Sequence, residues 1–235
     1  MVETTNCNSE EKVVEKTVEP KHHIDAEFEK ATFGMGCFWG CDSLFGSTKG
    51  ILRTKVGYSG GSAPKPVYRN LGDHTEVIEL HYDPTKITYD ELLEIFWNNH
   101  EYGLTKRIKR QYMSLILYHT PEQKEIAQKS LRLEQDKRSP DQIITEIAPA
   151  NEFYPAEDYH QKYRLQGHKN LMKELKITKD LLQTSHVAAR LNGYLVGVGG
   201  VQQFLEEAEA LGLTKEQVNY VKRYIEDNEG GGVFC

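Results

Sequence analysis

Residues Ala31–Ser47 read ATFGMGCFWGCDSLFGS. The apolar run at the start predicts a short strand over Ala31–Met35, and the residues after it predict a helix over about Phe38–Ser47, closed by Gly50. Cys37 stands at the turn between them, where the free N–H groups and the dipole of a helix N-terminus favour a negative charge. Because the thiolate is the reactive form of cysteine, Cys37 is a candidate nucleophile. The alternative interpretation is a small buried residue that packs a tight turn.

The order of the predicted elements indicates an α+β fold. Further strands are predicted over Ile51–Tyr58, Glu76–Tyr82, Tyr112–Tyr118 and Ile143–Ala148. Two further helices are predicted to begin at Thr88 and at Thr120, and a third is predicted to cover Ala156–Gln166. The first six elements run β-α-β-β-α-β, which is the ferredoxin-like split βαβ arrangement. We therefore expect a two-layer sandwich of helices packed on a mixed sheet, with a helical C-terminal extension.

Composition divides the chain into three parts. Residues 1–27 are polar and charged and predict a disordered tail. Residues 28–170 are predicted to form the catalytic domain, which carries Cys37. Residues 171–235 predict a helical extension that includes an amphipathic helix over Lys215–Asp227. Three glycines precede the last residues of the sequence, which predicts a flexible tail that carries Cys235.

Charge and cysteine content exclude several classes of protein. The formal net charge is −6 and the pI is near 5.9, which argues against a general nucleic-acid binder. No apolar run approaches the roughly 20 residues that a membrane helix needs, and the acidic N-terminus predicts neither a secretory nor a mitochondrial address. Four widely spaced cysteines predict neither a disulfide scaffold nor a zinc site, so we expect no bound metal. We expect a cytoplasmic protein that is small enough to enter the nucleus as well. In such a reducing compartment its cysteines should be reduced thiols before any reaction.

Glu76 is the second candidate for chemistry. In the strand Glu76–Tyr82 its side chain shares a face with Ile78, Leu80 and Tyr82, and that face is otherwise apolar. Burial would raise the pKa of the carboxyl, so that Glu76 holds a proton near neutral pH and acts as an acid. The alternative is a charge at the edge of the sheet that reaches water.

Several motifs in register identify a family. The motifs lie at residues 31–40, Gly57–Gly61, Pro66–Tyr68, His74–Val77, Phe96–His100, Gln111–Tyr112 and Ala156–Gln161. Together they span roughly residues 30–168 and resemble the A-type peptide methionine sulfoxide reductases. The resemblance implies an α+β core with a mixed sheet. It also implies an oxidoreductase that reduces the S epimer of methionine sulfoxide, free or within proteins, and so repairs proteins after oxidative stress.

The resemblance also implies roles for individual residues. Cys37 would be the nucleophile and Glu76 the acid that protonates the sulfoxide oxygen. Tyr68 and Tyr112 would donate hydrogen bonds to that oxygen, and Phe38 and Trp39 would hold the substrate methyl group. Cys37 would become a sulfenic acid, and a second thiol would convert it to an intramolecular disulfide. The resemblance implies no bound cofactor, because thioredoxin or another external dithiol would reduce the disulfide. We expect a monomer.

The resolving cysteine departs from the family pattern. Many relatives carry it in a Gly-Tyr-Cys-Gly segment, and the corresponding segment here has Leu195 in that place. We expect Cys235 on its glycine tether to replace it. Cys41 is the second choice, because a disulfide to a residue one helical turn away strains the helix. Cys7 is the third choice.

Two further positions depart from the pattern. Relatives commonly carry an acidic residue five positions before the tyrosine that matches Tyr112, and Arg107 stands there in this chain. Glu101 is a possible stand-in. Asp42 stands where relatives usually have glutamate.

Two other classes of function stay open on the residues alone. The first is a peptide-binding domain that keeps the fold without catalytic turnover. The second is a cysteine acyl-transfer enzyme with His74 or His160 as the base, for which the sequence offers no matching local signature.

Overall fold

The structure is a computed structural model, and it describes residues 19–100, 102 and 108–228. The strands are β1 Glu29–Met35, β2 Ile51–Ser59, β3 Thr75–Tyr82, β4 Ser114–Tyr118, β5 Glu146–Pro149 and β6 Tyr154–Pro155. The helices are α1 Phe38–Gly46, α2 Tyr89–Asn98, α3 Pro121–Arg138, α4 Tyr163–Gln166, α5 Lys169–Glu174, α6 Leu181–Thr184, α7 His186–Tyr194, α8 Gly200–Glu207 and α9 Lys215–Asn228. Short 3₁₀ turns occur at Arg110–Tyr112 and Asp158–His160.

The six strands form one sheet in the order β5-β4-β1-β3-β2-β6. Strand β3 lies antiparallel between β1 and β2, and β4 lies antiparallel beside β1, which is the predicted split βαβ core. The parallel pairing of β4 with β5 makes the sheet mixed, as expected. The main core lies between the sheet and helices α1 to α3 and includes Phe33, Phe45, Ile78, Leu92 and Phe96, all fully buried.

Side-chain caps fix the starts of three helices. The Thr88 hydroxyl accepts a hydrogen bond from the Glu91 N–H, and the Glu91 carboxylate accepts one from the Thr88 N–H, so both halves of a capping box are present. Helix α3 has Pro121 in its first turn, where the missing N–H costs nothing. Thr214 and Gln217 cap α9 reciprocally. The predicted helix starts at Thr88, Thr120 and Lys215 are confirmed.

The predicted helix over Ala156–Gln166 is wrong. The segment forms a 3₁₀ turn, an extended residue and then the short helix α4, and Lys162 between them has a left-handed φ of 51°. The reason is that the Lys162 N–H donates to the buried Asp42 carboxylate at 3.0 Å, outside its own segment. Strand β4 also begins later than predicted, at Ser114, because residues 110–112 form a 3₁₀ turn.

A buried polar cluster anchors this segment to the core. Lys162 and Asp42 are each 1% exposed in their side chains and pair at 3.1 Å. The Lys162 ammonium also donates to the Thr54 carbonyl at 2.7 Å, and the Thr54 hydroxyl donates to Asp42. Burial lowers the pKa of Lys162, and the Asp42 carboxylate opposes that shift. Asp42 therefore stabilises the connection between α1, β2 and α4.

Part of the predicted disordered tail is held in contacts. The Lys21 N–H donates to the Leu211 carbonyl at 3.0 Å, and the His22 carbonyl accepts from the His186 N–H at 2.8 Å. The His22 ring pairs with the Ser185 hydroxyl at 2.8 Å. Residues 19–27 therefore differ from the expectation, because backbone pairing with the helical region fixes them. Residues 1–18 lie outside the described part of the chain.

The helical extension packs on α1 through α7. A β-carbon at Gly193 would lie 2.3 Å from the Ser43 carbonyl oxygen, so only glycine permits this close approach of the two helices. The buried Arg190 guanidinium donates to the carbonyls of Gly46 and Thr48 and pairs with Glu207, which satisfies the C-terminal end of α1. No helix in the described part of the chain is both long and apolar enough to cross a membrane.

We predict that Lys162→Met destabilises the protein strongly. The substitution leaves the Asp42 carboxylate buried without its cation, so the free energy of unfolding should fall by about 3–5 kcal/mol in urea titrations. The double variant Lys162→Met/Asp42→Asn removes both charges and should regain a large part of that loss. A single variant within about 1 kcal/mol of the parent protein would contradict the anchoring role.

Candidate active site

Cys37 lies at the N-cap of α1, directly after β1. Its backbone is extended, with φ −65° and ψ 121°, and the residue is half-buried. Gly36 before it has a φ of 85°, a left-handed conformation that other residues rarely adopt. A β-carbon at Gly36 would meet nothing within 4 Å, so backbone conformation and not space requires glycine there. The predicted strand-to-helix turn at Cys37 is therefore present.

The Glu76 carboxyl lies beside the first turn of α1. Its Oε2 accepts a hydrogen bond from the Phe38 N–H at 3.2 Å, and its Oε1 accepts one from the Gln111 side-chain amide at 2.7 Å. Glu76 is 1% exposed, so it is not an edge charge that reaches water. Because Phe38 follows Cys37 in the chain, the bond brings the candidate acid next to the candidate nucleophile.

Burial sets the protonation of Glu76. Desolvation raises its pKa, while the hydrogen bonds from Gln111 and Phe38 favour the ionised form and oppose the rise. The pKa of Glu76 is raised overall, as expected from its place on the apolar face of β3. A carboxyl of this kind holds a proton at a higher pH than an exposed glutamate does, which suits a general acid.

Tyr112 and Tyr68 lie on the same side of the site as Glu76. Burial raises the pKa of Tyr112 to about 12, with smaller contributions from the Glu76 carboxyl and the Tyr68 hydroxyl. Tyr112 therefore remains a hydrogen-bond donor throughout the physiological range. Tyr68 is 37% exposed, and its N–H donates to the Glu157 carboxylate at 3.1 Å.

Trp39 is clamped from two sides. Its indole ring stacks on Tyr163 with centroids 3.7 Å apart and planes 2° apart. Its Nε1–H donates to Nδ1 of His160 at 3.0 Å. Trp39 is half-buried, whereas Phe38 beside it is 1% exposed and packs 5.0 Å from the His160 ring. The two aromatic residues thus form a fixed apolar wall next to Cys37.

His160 supports this wall in one tautomer. Since Nδ1 accepts from Trp39, its proton must lie on Nε2, which is buried and has no hydrogen-bond partner among the described residues. The Glu157 carboxylate is 3.9 Å from Nε2. Burial lowers the pKa of His160, and the Glu157 charge opposes that shift. The neutral ring that Trp39 requires is therefore favoured.

Sequence reasoning assigned no supporting role to Gln111, Glu157 or His160. All three lie within or beside the motifs that carried the resemblance, but their contacts cross the fold. Glu157 accepts from the Tyr58 hydroxyl at 2.7 Å, and Tyr58 pairs across the sheet with Glu76. Their position inside or beside the motifs was the one feature of the sequence that could have indicated these supporting roles.

The histidines do not act as bases in the manner of an acyl-transfer enzyme. His74 is buried, its Nδ1 accepts from the Gly61 N–H at 3.2 Å, and its Nε2 pairs with the Ala63 carbonyl at 2.8 Å. Both ring nitrogens are thus occupied by backbone groups. Nδ1 of His160 is occupied by Trp39.

The cysteines fall into different settings. Cys37 carries a disulfide bond. Cys41 is not its partner, because the Cys41 thiol is free and buried, and its Sγ–H donates to the Cys37 carbonyl at 3.4 Å. Burial, with help from the charges of Glu76 and Asp42, raises the pKa of Cys41 to about 12, which disfavours its thiolate.

Several predicted positions cannot be placed. Cys7, Cys235, Glu101 and Arg107 lie outside the described residues. Leu195, which occupies the place of the relatives' resolving cysteine, is 2% exposed. No group of three or more potential metal ligands converges within residues 19–100, 102 and 108–228.

Comparison with known proteins identifies one family. Residues 29–190 match the family model for peptide methionine sulfoxide reductase, and residues 177–226 match that for the helical domain of selenoprotein methionine sulfoxide reductase A. A peptide methionine sulfoxide reductase of Drosophila melanogaster is 59% identical over 221 residues, which cover 94% of this chain and 90% of the relative. A peptide methionine sulfoxide reductase A5 of rice is 40% identical and covers 71% of this chain and 67% of its own.

Solved structures show the same similarity. Methionine sulfoxide reductase A of Corynebacterium diphtheriae superposes with a TM-score of 0.55 at 30% identity, over 68% of this chain and 92% of its own. Reduced Mxr1 of Saccharomyces cerevisiae superposes with a TM-score of 0.56 at 26% identity, over 66% of this chain and 94% of its own.

Fold and site together define an oxidoreductase whose ferredoxin-like core carries a cysteine at a strand-to-helix turn. The chain belongs to the peptide methionine sulfoxide reductase family, of the A type, and it is an enzyme. The two alternatives, a binding domain without turnover and an acyl-transfer enzyme, are therefore wrong.

We predict that His160→Asn and His160→Gln differ. Asparagine places an acceptor near the position of Nδ1, whereas glutamine places its amide near Nε2 and leaves the Trp39 N–H without a partner. Methionine sulfoxide reduction should fall by about tenfold in the glutamine variant, the cost of one lost hydrogen bond, and by less than about threefold in the asparagine variant.

Trp39 fluorescence gives the independent readout. In a Trp97→Phe background the emission should move in the glutamine variant and stay close to the parent in the asparagine variant, because Trp39 is then the only tryptophan. Equal activity and equal emission in the two variants would rule out the role of the His160 hydrogen bond in holding Trp39.

Proposed function

We propose that this chain reduces the S epimer of methionine sulfoxide, free and within proteins, with Cys37 as the nucleophile and Glu76 as the acid. The observation that carries the proposal is the bond from the Phe38 N–H to the buried Glu76 carboxyl. It brings a proton donor next to a cysteine at a helix N-terminus. Tyr68, Tyr112 and the Trp39 wall surround the same point.

The first step moves oxygen from substrate to enzyme. The Cys37 thiolate attacks the sulfoxide sulfur, and negative charge grows on the oxygen. Glu76 transfers its proton to that oxygen, while the hydroxyls of Tyr68 and Tyr112 donate hydrogen bonds to it. The oxygen then moves from the substrate sulfur to the Cys37 sulfur. The substrate S–O bond and the transient bond between the two sulfurs break, an S–O bond to Cys37 forms, and methionine departs, which leaves Cys37 as a sulfenic acid. Phe38 and Trp39 pack against the methyl group on the substrate sulfur.

The second step removes the sulfenic oxygen as water. The Cys235 thiol attacks the Cys37 sulfur, an S–S bond forms, the S–O bond breaks, and one water molecule leaves with the thiol proton. The burial of Cys41 and of Leu195 supports the choice of Cys235. A dithiol, which we take to be thioredoxin, then gives two electrons by exchange and restores both thiols. We propose a cytoplasmic monomer that acts in protein repair.

The substrate test uses the two separated epimers with dithiothreitol as reductant. Methionine should form from the S epimer only, and Cys37→Ser should abolish it. Glu76→Gln keeps the shape and loses the proton, so the first turnover should slow by about 100-fold or more. Consumption of both epimers, or a first turnover in Glu76→Gln close to the parent rate, would overturn the assignment of substrate or of acid.

We predict that Cys235→Ser separates the two steps. One equivalent of methionine should still form in a single turnover, because Cys37 alone takes the oxygen. Recycling by thioredoxin should be lost, and Cys41→Ser serves as the matched control that recycles normally. Normal recycling in Cys235→Ser would show that another cysteine resolves the sulfenic acid.

We predict that Gln111→Leu shifts the pH dependence of the first turnover. The Gln111 amide bonds the ionised form of Glu76, so its removal should raise the Glu76 pKa further. Because the acid must be protonated, the fall in rate with rising pH should move to higher pH. In the double variant Gln111→Leu/Glu76→Gln this fall in rate with rising pH should be absent, because residue 76 no longer titrates. A shift to lower pH would contradict the role of Gln111.

A further inference from the structure

A groove runs beside the active site and has no assigned occupant. It lies between α4, the end of α7 and the end of α9, and its volume is about 610 Å³, within the range of sites that hold small molecules. Its lining includes Tyr159, Tyr163, Leu195, Val196, Tyr224 and Asn228. Tyr159 and Tyr163 are 54% and 41% exposed, so large aromatic rings there face the open groove.

Two residues of the groove lining also contact the aromatic wall of the active site. Tyr163, which lines the groove, stacks on Trp39 at 3.7 Å. Tyr159, which also lines it, packs on His160 with ring centroids 4.0 Å apart. A chain that lay in the groove would therefore arrive beside the wall that adjoins Cys37.

The end of α9 also lines the groove. Asn228 is the last residue of that helix and itself lines the groove. The residues that follow, 229–235, read EGGGVFC. Seven residues reach at most about 25 Å when extended, so Cys235 can lie no farther than that from Asn228 in the groove lining.

The sequence of this segment suits the groove. Its three glycines allow the backbone to adopt the left-handed conformations that turns use. Val233 and Phe234 then present an apolar and an aromatic side chain, which match the tyrosines and the aliphatic residues of the lining. Cys37 carries a disulfide to a cysteine other than the free Cys41, which leaves Cys7 and Cys235.

We propose that this groove is the docking site of residues 229–235, and that Phe234 seats in it so that Cys235 meets the Cys37 sulfenic acid. The inference rests on the proposed resolving role of Cys235 and adds the surface that makes the encounter fast. The reaction is the second step described under the proposed function: the S–S bond between Cys235 and Cys37 forms, the S–O bond of the Cys37 sulfenic acid breaks, and water leaves. The groove raises the local concentration of one thiol near Cys37.

The test measures the two steps separately in the full-length chain. One equivalent of the S sulfoxide is mixed with reduced protein, methionine reports the first step, and loss of free thiols reports the second. Phe234→Ala should leave the first step unchanged and slow disulfide formation by about tenfold, the order expected for losing a buried aromatic side chain.

A pair of variants tests the groove side. Val196→Glu places a charge in the groove and should also slow disulfide formation by about tenfold, with the first step unchanged. Val198→Glu is the matched control, because Val198 is equally half-buried, lies two residues away and lines a different cavity. It should stay within about twofold of the parent in both steps.

The outcomes distinguish failure of the groove from failure of the resolving role. Normal disulfide formation in Cys235→Ser would overturn the role of Cys235 and the docking site with it. Loss of the disulfide in Cys235→Ser together with normal rates in Phe234→Ala and Val196→Glu would overturn the docking site alone. A raised KM for an oxidised peptide in Val196→Glu, with an unchanged disulfide rate, would show that the groove holds substrate flanks instead.

Discussion

The hydrogen bond from the Phe38 N–H to the Glu76 carboxyl joins the two halves of the reaction centre. It links the start of α1, which directly follows Cys37, the proposed nucleophile, to strand β3, which carries Glu76, the proposed acid. The carboxyl satisfies one of the N–H groups that a helix start leaves open, so the same contact serves both stability and position. If it were lost, one oxygen of a buried carboxyl and an N–H group at a helix start would both lack this partner, although Gln111 would still bond the other oxygen.

The apolar side of the site depends on a segment that is not regular structure. Residues 156–166 carry His160 and Tyr163, which hold Trp39 in place. Gln161 bonds both backbone groups of Val56, and Lys162 bonds Asp42, so the segment is fixed by buried polar contacts to β2 and α1. Such contacts are directional, which explains how a short loop presents an indole ring at a defined angle.

The helical region stabilises the same helix from its other end. Arg190 satisfies the last carbonyls of α1, Gly193 lets α7 approach it closely, and Leu195 continues the packed core. One helix therefore has its N-terminus in the reaction centre and its C-terminus held by the extension. The groove beside Tyr163 arises where this extension meets the reductase core.

Local pattern in the sequence determined the order of strands and helices along the chain, the starts of α2, α3 and α9 and the turn at Cys37, because each depends on residues close together in the chain. It also predicted a buried Glu76 from alternation along one strand. The broken helix after Ala156 could not be predicted, because the Lys162 N–H bonds Asp42 from another element. The tertiary structure alone decided the tautomer of His160, the support of Trp39 and the contacts of residues 19–27. Each of these depends on partners distant in sequence, which only the packed chain brings together.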